Sequence, residues 1–209
     1  MNTDKNKIST KDRILAVSEN LFAEKGFDST GIDEIASNVG IAKSVIYYHF
    51  KNKEDILKTL FEKYLGQGFE LKKDKIDEIV INDNVNYKKI FSETLNRAEL
   101  WRNFSRILFM ESMKKTDPEN NLLFKLWERN MEFLYVVYKD KLNDQAISKK
   151  KELLTKSFFM LGLPWIGFQV FVASWSEFVD IEEEELNKML TEIMDEFLEK
   201  IWLEKLFNL

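Results

Sequence analysis

Thr30-Gly31-Ile32-Asp33-Glu34-Ile35-Ala36-Ser37-Asn38-Val39-Gly40-Ile41-Ala42-Lys43-Ser44-Val45-Ile46-Tyr47-Tyr48-His49-Phe50-Lys51-Asn52-Lys53 is the stretch that decides the fold. It reads as helix, tight turn, helix. Apolar side chains recur at helical spacing from Ile32 to Val39, which predicts a short helix with Thr30 or Gly31 at its cap. Gly40 supplies the positive φ that a sharp turn needs, and a second helix is predicted from Lys43 to Phe50. Ala36 is small enough to let the two helices cross closely. Ile32, Ile35, Val39, Ile41, Ile46 and Phe50 can then share a core. That leaves Lys43, Ser44, Val45, Tyr47, Tyr48 and His49 toward the outside of a short helix, a shape that fits a DNA major groove.

Upstream, Ile14, Leu15, Val17, Leu21 and Phe22 form an apolar stripe, predicting a helix over Lys11–Lys25 with Thr10 as cap and Gly26 as a left-handed stop. Downstream, a fourth helix is expected from Lys53 through Leu57, Leu60, Phe61 and Tyr64 toward Lys75.

With these pieces in order, the stretch resembles the TetR (tetracycline-repressor-like) family. Thr30, Ile35-Ala36, Gly40-Ile41-Ala42, Ile46-Tyr47, Tyr48-His49-Phe50 and Lys53-Glu54, with Leu21-Phe22 and Gly26-Phe27 upstream, follow the family pattern over about residues 10–60. Gly31 departs from it where a second Thr is common, and Ser44-Val45 replaces a frequent Gly-Thr or Gly-Ser. The resemblance implies that Lys43, Ser44, Val45 and Tyr48 face bases, and that Thr30, Tyr47, His49 and Lys53 mainly grip phosphates. Phosphate contacts set register and affinity; base contacts set sequence choice. Val45 would offer a methyl-sized apolar contact in place of a hydroxyl. Taken alone, His49 is an ordinary surface or interhelical histidine. Tyr47 can both pack its ring and offer its hydroxyl.

The bulk composition is consistent with this. The chain has 7 Gly and 2 Pro in 209 residues, which favours long helices. It has no Cys and one His, so thiol chemistry, disulfides and His-rich metal sites are excluded, and neither a cofactor nor a metal is expected. With no glycine-rich phosphate loop or paired carboxylates either, an enzyme is not expected. Of 31 basic and 36 acidic residues, ten of each lie in residues 1–64, so the net charge of −5 sits in the remainder. Ile35 to Lys53 holds three Lys and no acid, a basic edge that can face phosphate. Met1–Lys7 has no apolar signal core, and Ser157–Val172 is short and interrupted for a membrane span. A cytoplasmic protein with no membrane association is expected.

The fold class expected is therefore all-α: a helix-turn-helix head over residues 1–52 and a helical ligand-binding and dimerisation bundle over 53–209. In the bundle, Tyr87–Met113 is expected to form two helices and Pro118–Leu142 one. Ser148–Trp175 forms another, kinked by Gly162, Pro164 and Gly167, and a last helix opens at Asp180–Glu185. Ile79-Val80-Ile81 is the one β-like run and is assigned to a helix end. The last two helices are the expected homodimer contact, since Ile181, Leu186, Met189, Leu190, Ile193, Met194, Phe197, Leu198, Ile201 and Trp202 exceed the apolar surface that one helix edge needs. Two-fold heads roughly 34 Å apart would read a palindromic operator.

Any one aromatic of the bundle is ordinary core. The resemblance implies a pocket among them, with Trp101, Phe104, Met110, Trp127, Met131, Phe159, Trp165 and Phe168 as the candidate lining. Arg102, Arg106, Glu111, Glu128, Asn130 and Gln169 are the polar groups that could orient a small apolar or amphipathic effector. The function implied is a transcriptional regulator, a repressor released from its operator by that effector. The alternative is a DNA-binding dimer whose body is a protein-docking platform without a metabolite.

Overall fold

The computed structural model describes residues 8–74, 80–81, 84–85, 98–114, 117–138 and 150–197. Helix α1 (Thr10–Lys25) is capped by Ser9, not by the expected Thr10. The Ser9 side chain accepts from the Asp12 amide at 3.1 Å while its hydroxyl donates to the Asp12 carboxylate at 2.6 Å. This reciprocal pair satisfies an orphan donor of the first turn. The helix stops at Gly26, whose φ is 85° as expected but whose ψ of 157° is extended instead of left-handed. That region is open only to glycine.

Helix α2 (Ile32–Val39) and helix α3 (Lys43–His49) lie where the sequence predicts them. Gly31 starts α2 without a side-chain cap, and Gly40, at φ 76° and ψ 42°, ends it. Helix α4 (Lys53–Asp74) is started by Asn52, whose carboxamide oxygen accepts from the Asp55 amide at 2.8 Å.

Val80–Ile81 (β1) pairs antiparallel with Asn84–Val85 (β2), so this run is a minimal ladder and not a helix end. Its β-branched residues favour the extended state. The fold remains all-α in class.

The bundle continues with α5 (Ala98–Lys114), α6 (Leu122–Tyr138), α7 (Lys150–Ser157), α8 (Leu163–Val179) and α9 (Glu183–Phe197). The expected break between Tyr87 and Met113 falls outside the described residues, as do the last helix beyond Phe197 and the end expected at Leu142. Pro118 does not open one long helix. Pro118–Asn120 is a single 3-10 turn, and Asn121 restarts the chain by accepting from the Leu123 and Phe124 amides at 3.1 and 3.2 Å. The expected kink at Gly162 to Gly167 is a π turn over Phe158–Gly162, with the Leu163 amide bonded five residues back to Phe158. Pro164 sits harmlessly in the first turn of α8. Asp180 ends α8 in a left-handed conformation.

The segment Leu154–Val179 is a continuous helical run of 26 residues containing an 18-residue stretch of mean hydropathy 1.5, long and apolar enough to cross a membrane by length and composition alone. The run extends beyond the Ser157–Val172 stretch at both ends and includes Gly162, Pro164, Gly167 and Gln169. Phe171, Trp175 and Phe178 on α8 and Ile193 on α9 are more than half exposed.

Two cores divide the molecule. The first gathers Ile14, Phe22, Ile35, Val39, Ile46 and Phe50 from α1–α3, together with Ile56 and Leu60 of α4 and Ile107 of α5. The second gathers Phe61, Tyr64 and Leu65 of α4 with Phe104, Leu108, Leu123, Leu126 and Ile166. The head core thus crosses the boundary expected at residue 52. A three-helix head buries too little on its own, and two turns of α4 complete it. Both α4 and α5 belong to head and body at once.

Candidate nucleic-acid interface

Helix α3 is held by what it buries. Ile46 is fully buried and Phe50 nearly so, and these two fix its rotation against α1 and α2. Lys43, Ser44, Tyr47 and Tyr48 consequently face solvent, with Tyr48 84% exposed. Val45 and His49 are half-buried. The His49 ring meets the Tyr48 ring edge-on at 5.0 Å, which ties two candidate contacts together.

Lys43 is not free. Its ammonium lies 2.9 Å from Asp33 Oδ2 at the start of α2, and this hydrogen bond raises the lysine above its ordinary value. A phosphate or base edge that engages Lys43 must compete with Asp33. Arg13 of α1 donates to the Val39 carbonyl at 2.6 Å and pins the end of α2 from the other side.

Thr30 and Lys53, both expected at phosphates, have side chains engaged within the head. Thr30 is 1% exposed, and its hydroxyl donates to the Gly26 carbonyl at 2.9 Å and the Leu21 carbonyl at 3.3 Å. Gly26 lies past the last helical residue of α1, where carbonyls lose their helical donors, and Thr30 supplies one. Lys53 points the same way. Its ammonium donates to the Phe27 and Thr30 carbonyls at 2.6 and 2.9 Å and rests over the Phe27 ring at 4.3 Å. It clamps the α1–α2 connection to α4. The residues that sequence reasoning missed are Asp33, Arg13 and Asn52. For Asn52 the spacing to Asp55 was a legible capping signal; nothing local announces the other two.

Among the candidate effector contacts, Trp101, Phe104 and Trp165 come together. Phe104 is fully buried, Trp101 and Trp165 pack at its cluster half-buried, and the Trp101 and Phe104 rings are 6.1 Å apart. Trp127 lies apart, across the ring of Phe158, and donates from Nε1 to Ser157 Oγ at 3.0 Å. Phe159, whose ring meets that of Phe158 edge-on, is 60% exposed. Met110 and Phe168 are half-buried. The Met131 side chain lies outside the described residues.

The polar candidates separate sharply. Arg102 is ion-paired to Glu183, Glu111 accepts from Lys114 at 2.7 Å, and Asn130 donates to the Leu126 carbonyl at 2.9 Å. Arg106 and Glu128 are exposed. Gln169 alone among these candidates is wholly buried with neither carboxamide atom hydrogen-bonded.

Head and body are joined by polar contacts as well as by shared helices. The Tyr64 hydroxyl of α4 donates to Glu19 Oε1 of α1 at 2.5 Å. Lys114 of α5 bridges Asp28 at 3.0 Å and Glu111 at 2.7 Å. The Asn103 side chain donates to Asn20 Oδ1 at 2.8 Å.

A family model for bacterial regulatory proteins of the tetR family matches residues 14–60. The chain is similar to the uncharacterized HTH-type transcriptional regulator YerO of Bacillus subtilis, 47% identical over 64 residues that cover 31% of this chain and 22% of that one. It is also similar to the biofilm operon icaADBC HTH-type negative transcriptional regulator IcaR of Staphylococcus epidermidis, 44% identical over 52 residues, 25% of this chain and 28% of that one. The chain thus aligns with less than a third of the length of either relative. A solved TetR transcriptional regulator from Legionella pneumophila superposes over 91% of this chain and 99% of its own with a TM-score of 0.60 at 20% identity, a likeness of fold.

Proposed function

We propose, from a chain whose head belongs to the tetR family of bacterial regulatory proteins, that it is a dimeric, sequence-specific DNA-binding regulator whose operator affinity is lowered by a small apolar or amphipathic effector. The single observation that carries the reading is the outward face of α3. Lys43, Ser44, Tyr47 and Tyr48 are exposed on a helix locked in place by Ile46 and Phe50. Groove-reading helices need that combination of a rigid seat and free polar and aromatic side chains. Val45 and His49 stand at its edge and contribute from there.

The exposed apolar faces of α8 and α9 support the dimer. Phe171, Trp175 and Phe178 follow one another by four and three residues, and Met189 and Ile193 by four, so each set forms a stripe. A second copy covers both stripes, spaces two heads along one face of DNA and makes the operator a palindrome. The dimer works in the cytoplasm, and its heads extend to the end of the shared core in α4.

Effector release follows from the two-core plan. Occupancy of the body beside Phe104 biases α4 and α5, and both carry side chains into the head core. Such a bias requires different effector affinities for two head arrangements. The tetR-type relatives include a negative regulator, which supports the repressor sign.

Selection of binding sites from random duplex DNA by the full chain tests the reading. Enrichment of one palindromic motif is expected; recovery of no motif, with DNA bound indifferently, contradicts it.

A further inference from the structure

We infer that Gln169 is the polar anchor of the effector site in the body, and that the effector is an uncharged amphiphile with an amide or hydroxyl head; this rests on the effector reading above. Gln169 is 0% exposed, and both Oε1 and Nε2 lack a hydrogen-bond partner among the described residues. Folded proteins satisfy nearly every buried carboxamide, because leaving one unmade forfeits its hydration. A wholly buried amide with no partner on either atom keeps its full capacity to donate and accept.

The residues around it define what fits. Ile166, Gln169 and Val172 are the buried residues of α8, three apart on one face. Ile166 packs in the cluster of Phe104 and Leu108 on α5. Gln169 is the one polar residue among the buried residues of α8, flanked on the same face by Ile166 and Val172. Its carboxamide offers two N–H donors and one carbonyl acceptor. An amide head matches both functions, and a hydroxyl matches either. Among the described residues of α5, Arg102 already holds Glu183 and Glu111 already holds Lys114.

The backbone supplies an independent observation. The π turn at Phe158–Gly162 widens the helix just before α8, with the Leu163 amide reaching back to Phe158. One extra residue in a turn rotates every later side chain by about 100°. Without it, Gln169 would leave the buried face. Distortions of this kind concentrate at functional sites, and here the distortion turns a polar residue into an apolar core.

The test compares octanamide, octanoate and octyltrimethylammonium by calorimetry on the full chain, wild type and the Gln169→Leu and Gln169→Met variants. Octanamide is expected to bind the wild type at least tenfold more tightly than either charged probe, and each variant is expected to lose at least tenfold of that affinity. Both variants should melt no lower than the wild type, since they remove an unpartnered amide. Equal affinity for charged and uncharged probes, no binding of octanamide at millimolar concentration, or unchanged octanamide binding in either folded variant overturns the inference. The wild-type comparison decides it even where a variant fails to fold. Binding of the same preparations to selected DNA, scored separately, shows whether the regulator reading survives such a failure.

Discussion

The Tyr64 ring lies almost parallel to that of Phe104, 9° from coplanar direction with centroids 4.2 Å apart. Phe104 belongs to the body core, and the hydroxyl of Tyr64 reaches back to Glu19 in the head. One side chain therefore reports the packing of the body to the first helix of the head. Burial raises the Glu19 carboxyl above 4.5, against the lowering effects of the Tyr64 hydrogen bond and Lys63. A carboxyl with a raised value binds more protons folded than unfolded, so its contribution to stability falls as pH rises from the ordinary carboxylate range through its folded value. Glu19→Gln keeps an acceptor for Tyr64 and removes the charge. Its melting temperature is expected to exceed that of the wild type at pH 7, with the difference closing below about pH 4. Tyr64→Phe keeps the stack but strands the carboxylate, and is expected to cost about 1–2 kcal/mol at pH 7 by denaturant unfolding.

Asp33 competes for Lys43 in the unbound head. Asp33→Asn removes both that competition and a negative charge near the phosphates. The expected outcome is about three- to tenfold tighter operator binding at low salt, shrinking as salt rises. Fluorescence anisotropy across a salt series checks it; weaker binding by a folded Asp33→Asn chain would show that the pair positions α3.

Two glycines should respond in opposite directions. A Cβ on Gly162 would stand 2.7 Å from Cε3 of Trp127, whereas one on Gly66 meets nothing within 4 Å. Gly162→Ala is expected to destabilise by about 1–3 kcal/mol, because the indole is held by Ser157 and yields only by disturbing the π turn. Gly66→Ala, in the middle of α4, is expected to stabilise by about 0.5–1 kcal/mol. Thermal unfolding of both variants measures the contrast.

Phe178 is 79% exposed and Ile193 63%. Charges placed in the proposed contact between copies must be desolvated without partners. Phe178→Asp and Ile193→Asp are each expected to weaken the dimer at least tenfold in sedimentation equilibrium while leaving the helical content unchanged. A dimer of undiminished strength in both would move the interface elsewhere.

The head was legible because its signals are local. Gly31 and Gly40 bracket α2, and the apolar spacing between them leaves one rotation for α3. The side-chain partners within the head were less legible. Thr30 and Lys53 stand where the family pattern suggests phosphate contacts, yet both face main-chain carbonyls exposed by the turn after Gly26, and that turn's path is tertiary. In the body, the sequence predicts a kink at Gly162. The structure shows a π turn whose last residue, Gly162, fits under the Trp127 ring, a contact between residues 35 positions apart that periodicity does not encode. Gln169 was one polar candidate among six until burial separated it from the rest.

The most direct test of the central claim, that α3 reads DNA, is the binding of selected operator duplex by wild type, Tyr48→Ala and Lys43→Ala across a salt series. Both side chains are exposed, so neither substitution disturbs the core. The account predicts salt-sensitive, sequence-selective binding by the wild type and at least a tenfold loss in each variant, with unaltered melting temperatures. Operator binding that is unchanged in both folded variants would contradict it.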